Sequence, residues 1–157
     1  MTETAARCLV LACGNTTRSD DGVGSKLAEW ATQRFQSDSH VRVLYSQQWT
    51  PDLAAEIATA DSVLFVDSSI KSKPGRVSLT PVAMNFDKPT TNTHHLDAPA
   101  LLGLTHELYG TLSSHAMLLT VGAGTIDFGE TFSAPVTAAL PRAQHVLEKA
   151  VLRFLGN

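Results

Sequence analysis

Residues 8–24 read CLVLACGNTTRSDDGVG, and how this stretch divides decides the fold. Cys8 to Cys13 is short and wholly apolar, the pattern of a strand buried on both faces, and Gly14-Asn15 after it signals a turn. From Val23 the residues Val23, Leu27, Trp30, Ala31 and Phe35 recur at helical spacing, with Ser25, Lys26, Glu29 and Gln33 on the wet side. The stretch is therefore a strand, a glycine-bearing turn and a helix ending near Phe35. Turns of this kind often cradle a phosphate, using backbone N–H groups, a helix N-terminus and a lysine. Here no lysine falls between Gly14 and Gly24, and the spacing fits neither G-x-G-x-x-G nor the lysine-bearing phosphate loop. Asp20 and Asp21 stand where the anion would go, so the turn suits a cation and a nucleotide-binding domain is disfavoured.

Outward from this unit the pattern alternates. VRVLYS from Val41 reads as a second strand, and Pro51 opens a helix over PDLAAEIATA with Thr50 as its cap. Ser62 to Asp67, SVLFVD, is a third strand, apolar on both faces and hence central, closed by an aspartate. RVSLTPV, ending at Pro81, has the alternation of an edge strand. Residues 83–97 are polar and longer than an ordinary connection, as functional loops often are. Asp97 caps a helix with Pro99 in its first turn and Gly110 as its stop, and AMLLTVGAG is the last strand. A final helix from Ala134 carries Val136, Leu140, Ala143, Val146, Leu147, Ala150, Val151 and Phe154 in one stripe, with Pro141 as a kink point.

Together these elements predict one domain over residues 1–157: an α/β three-layer sandwich with helices on both faces of a twisted sheet. The sheet has about five strands, mostly parallel, with one antiparallel edge strand. Ligands of such sheets bind beyond the carboxyl ends of the strands. Asp21 and Asp67 both fall on that edge.

Composition narrows the function. A net charge of −3 and a pI near 6.0 give no footprint for nucleic acid or an acidic membrane surface. The two cysteines, Cys8 and Cys13, lie on one strand and cannot bridge, which points to reduced thiols and a cytoplasmic setting. No signal peptide or membrane-spanning run is expected.

Read singly, each candidate residue has a plain structural explanation. Asp20 or Asp21 caps the helix, Asp67 starts the turn DSS, and the pair His94 and His95 precedes a helix. Two adjacent carboxylates exceed what one cap needs, and Asp20 is assigned to the cap or to a pairing with Arg18. Two carboxylates and one imidazole from three separate loops would make an oxygen and nitrogen site for nickel, zinc or iron with positions left open. The chain lacks H-E-x-x-H and a G-x-S-x-G elbow, and Cys13 reads as a buried structural thiol rather than a nucleophile.

GNTTRSDDGVG after an apolar strand, LFVDSS closing a later strand, THHLDAPALLGLTHELYG and FGETFSAPV occur in an order that resembles the maturation endopeptidases of nickel-iron hydrogenases. The resemblance spans about Cys8 to Phe154. It implies a hydrolase, often classed as aspartic-type, that removes the C-terminal extension of a hydrogenase large-subunit precursor after nickel insertion. It also implies that Asp21, Asp67 and His94 engage the metal and carry catalysis. His94 is preferred over His95 because His94-His95-Leu96-Asp97 keeps the family's interval between ligand and cap. Many relatives carry glutamate at the position of Asp21, one methylene longer. Nickel would arrive with the precursor, with no permanent organic cofactor. The implied partner is that precursor, without nucleic acid or membrane, and the protease would act as a monomer. A non-catalytic nickel-binding chaperone for the same precursor is the alternative.

Overall fold

The computed structural model describes residues 7–85, 96–111, 113 and 115–156. Its elements are β1 (Cys8–Cys13), α1 (Val23–Arg34), β2 (Val41–Ser46), α2 (Ala54–Ile57), β3 (Ser62–Ser69), β4 (Val77–Pro81), α3 (Ala98–Tyr109), β5 (His115–Gly122) and α4 (Ala134–Phe154). They form one five-stranded sheet in the order β2-β1-β3-β5-β4. Neighbouring strands pair in parallel except β4, which runs antiparallel to β5 at the edge. The predicted α/β sandwich with one antiparallel edge strand is borne out.

Alternation along the central strands divides the core into two layers. Cys8, Val10 and Ala12 of β1, with Leu64 and Val66 of β3, face α1 and α4. Leu9, Leu11, Cys13, Val63 and Phe65 face Trp49, α2 and α3. These central residues are buried on both sides, which is why β1 and β3 read as continuous apolar runs. Side chains such as Leu9, Leu11 and Phe65 each stabilise the fold by about 1.5–3 kcal/mol through burial. Trp49 meets Phe65 edge to face, ring centroids 5.1 Å apart, and closes the second layer beneath the carboxyl edge of the sheet.

Two expectations are corrected. The helix predicted over PDLAAEIATA is a 3-10 turn at Pro51–Leu53 followed by a single α-helical turn. Only Ala54 and Ile57 of the two turns are buried, and the chain must enter β3 by Ser62, which leaves no length for more. Thr50 gives its hydroxyl to the Asp52 side chain and makes no cap bond. β3, in turn, runs two residues past Asp67, because Ser68 and Ser69 still pair with Val121 and Gly122 of β5. The later helices begin as expected: Asp97 accepts the Ala100 N–H at 2.9 Å at the start of α3, and Gly110 ends it with φ of 67°.

Candidate functional site

The turn between β1 and α1 is shaped by two close approaches. A Cβ at Gly24 would lie 2.1 Å from the Cys13 carbonyl oxygen, so glycine there lets α1 press onto the end of β1. Gly14, with φ of +149°, would place a Cβ 2.0 Å from the Asp21 carbonyl oxygen. Both glycines serve packing of the chain against itself. Tyr45 at the end of β2 donates its hydroxyl to the Gly14 carbonyl and pins the turn from the side.

Asp21 sits in a 3-10 turn, Ser19–Gly22, that leads into α1. Its Oδ2 accepts the Asn15 N–H at 2.9 Å, and its Oδ1 accepts the Ser68 hydroxyl at 2.7 Å. The backbone N–H of the same Ser68 donates to Asp67 Oδ1 at 2.8 Å. One serine thus holds both carboxylates. Strand geometry explains the arrangement: Asp67 follows Val63 and Phe65 on one face of β3, the face that Cys13 shares on neighbouring β1. The Cys13 thiol lies beside the Asp67 carboxylate and favours its charged form.

Burial is the main influence on Asp67 and raises its pKa to about 6, with the Asp21 charge adding to the rise and the Ser68 N–H and Cys13 thiol opposing it. Cys13 is driven upward by burial and by the charges of Asp67 and Asp21. Burial likewise lifts Cys8 to about 11. Neither thiol is held as a thiolate, in accord with their reading as structural residues.

Asp20 neither caps a helix nor meets Arg18. Neither the 3-10 turn nor α1 has a side-chain cap bond. The Asp20 carboxylate is fully buried and reaches a segment more than a hundred residues away. It accepts the Gly124 N–H at 2.7 Å, the Thr125 N–H at 3.0 Å, the Ser133 N–H at 2.7 Å and the Ser133 hydroxyl at 2.7 Å. Burial alone would raise its pKa, but these donors outweigh burial and hold it below the usual carboxylate value. Ser133 stands at the N-cap of α4 yet spends its hydroxyl on Asp20 rather than on the helix. Arg18 lies over the Phe128 ring, 4.7 Å from its centroid.

The structure therefore joins Asp21 to Asp67 through Ser68, while His94 and its alternative His95 lie outside the described residues. Among the described residues no group of three His, Cys, Asp or Glu side chains is arranged to hold a metal. The donor chemistry of the two carboxylates suits a cation: each keeps lone pairs beyond the hydrogen bonds it accepts, and their mutual repulsion is relieved by positive charge. Sequence reasoning missed Ser68 and Asn15 as partners of Asp21. The DSS tripeptide was the available signal, read as a turn.

By sequence, no protein-family model and no curated protein matches the chain. Solved structures do. A NiFe hydrogenase maturation protease, HybD from Thermococcus kodakarensis, superposes with a TM-score of 0.69 at 27% identity, covering 92% of this chain and 98% of its own. The maturation protease HycI from the same organism gives 0.70 at 22% identity, covering 98% and 94%. The hydrogenase maturating endopeptidase HybD from E. coli gives 0.69 at 20% identity, covering 94% and 93%. The resemblance carried by the motifs is thus borne out over nearly the whole chain.

Proposed function

We propose that the protein is an endopeptidase that removes the C-terminal extension of a hydrogenase large-subunit precursor once the precursor holds nickel. The observation that carries this reading is the Ser68 bridge, which fixes Asp21 and Asp67 side by side at the carboxyl edge of the sheet. The likeness to hydrogenase maturation proteases supports the substrate class. Asp21 and Asp67, with His94, would clasp nickel borne by the substrate, so the chain itself needs no resident metal or organic cofactor. When present, the ion supplies Lewis-acid polarisation of the scissile carbonyl.

The chain's own residues do the rest. Ser68 orients the carboxylates, and Asn15 fixes the second oxygen of Asp21. One of the two carboxylates, Asp21 or Asp67, is suited to take a proton from the attacking water through an oxygen not committed to the ion. Water oxygen adds to the carbonyl carbon, the C–N bond breaks, and the proton passes to the leaving amine. A precursor without nickel forfeits the ligand bonds and is not positioned. The protein would act as a monomer in the cytoplasm, without nucleic acid or membrane; no described helix is long and apolar enough to cross one.

Mass spectrometry of a nickel-loaded precursor before and after incubation with the protein tests this. Loss of one defined C-terminal segment is expected. A stable complex whose precursor keeps its full mass would instead make the protein a binding checkpoint.

A further inference from the structure

Phe128 is 81% exposed, more than any other large apolar side chain among the described residues. An isolated exposed phenylalanine is ordinary, but this one stands on a segment whose backbone is tied down. Its segment, residues 123–133, is clamped to the turn that carries Asp21. The Ser19 hydroxyl donates to the Asp127 carbonyl at 2.7 Å, and the Ser19 N–H to the Gly129 carbonyl at 2.8 Å. The Gly129 N–H donates to the Thr17 carbonyl at 2.9 Å, and the Asp20 N–H to the Thr125 carbonyl at 3.1 Å. The buried Asp20 carboxylate adds four more bonds to the two ends of the segment.

Arg18 backs the ring, with its guanidinium carbon 4.7 Å from the centroid and Nη1 donating to the Ile126 carbonyl at 3.5 Å. Among the described residues Arg18 has no carboxylate partner. An aromatic side chain on a clamped backbone, beside a cation that has no carboxylate partner among the described residues, has the make-up of an interface hot spot.

We propose that Phe128 and Arg18 form the substrate-docking contact of this protein, with Phe128 entering an apolar recess on a folded protein and Arg18 meeting a carboxylate at the recess rim. The contact lies on the carboxyl edge, where segment 123–133 follows β5 and touches the turn bearing Asp21. This rests on the proposed function, since the docked protein is the hydrogenase precursor.

Steady-state cleavage of nickel-loaded precursor by wild type, Phe128→Ala and Phe128→Trp tests it, with thermal melting as a control for folding. Phe128→Ala is expected to raise KM about tenfold with kcat unchanged, as loss of a contact made equally before and during reaction does. Phe128→Trp should restore KM, and both variants should melt with wild type. An unchanged KM in Phe128→Ala alongside active wild type would overturn the docking contact alone. Wild type that neither binds nor cleaves the precursor would overturn the functional reading and the contact with it.

Discussion

The Ser68 hydroxyl donates to Asp21 at 2.7 Å while the adjoining backbone N–H of Ser68 donates to Asp67 at 2.8 Å. The side-chain bond can be removed without touching either carboxylate. Ser68→Ala frees Asp21 Oδ1 and should lower cleavage about ten- to a hundredfold, the scale of a small misplacement at a reacting centre. Loss of one partly buried hydrogen bond should cost about 1 kcal/mol of stability. Single-turnover cleavage and thermal melting separate the two effects, and Ser68→Thr, which keeps the hydroxyl, should retain most of the activity.

Asp67 opposes folding at neutral pH. Its folded pKa of about 6 lies above the ordinary carboxylate value, so the native state binds more protons than the unfolded chain between the two values. Its unfavourable contribution is absent below about pH 4, grows as pH rises to about 6, and is fully present above that. Asp67→Asn should therefore abolish cleavage yet raise stability above pH 7 by on the order of 2 kcal/mol. Denaturant melts at pH 4 and pH 8 should show the variant's advantage only at the higher pH.

Asp20 behaves in the opposite way. Its depressed pKa means that its stabilising contribution is complete above the ordinary carboxylate value and is lost as pH falls through the folded one. Asp20→Ala strands three backbone N–H groups and should cost about 3 kcal/mol, measurable by urea unfolding at pH 7. The penalty should shrink in acid, where the wild-type carboxylate itself becomes protonated.

Gly24 tests the packing of the first turn. Gly24→Ala would set a methyl 2.1 Å from a backbone oxygen of β1, and neither strand nor helix can yield cheaply. A loss of about 3 kcal/mol is expected in equilibrium unfolding, at the upper end for overpacking.

Local signals carried most of the fold. The apolar runs of β1 and β3, the helical stripe of α4 and the Asp97 and Gly110 boundaries of α3 all follow from patterns within one element. What escaped sequence reading depends on distant neighbours. Ser68 acquires its role from a turn 47 residues away, and Asp20 from Ser133, 113 residues away. Neither pairing leaves a periodic trace. The extra length of β3 comes from pairing with β5, which overrides the turn preference of Asp67-Ser68-Ser69. The short α2 is likewise set by the need to enter β3, against an alanine-rich stretch that favours helix.

In the proposed reaction Asp21 and Asp67 act on a substrate selected by the nickel it carries. The most direct test is a time course of wild-type protein with matched nickel-loaded and nickel-free precursor, read as the fraction that loses its C-terminal extension. Cleavage confined to the loaded precursor, and abolished by Asp21→Asn, is the expected result. Equal cleavage of both precursors would contradict it.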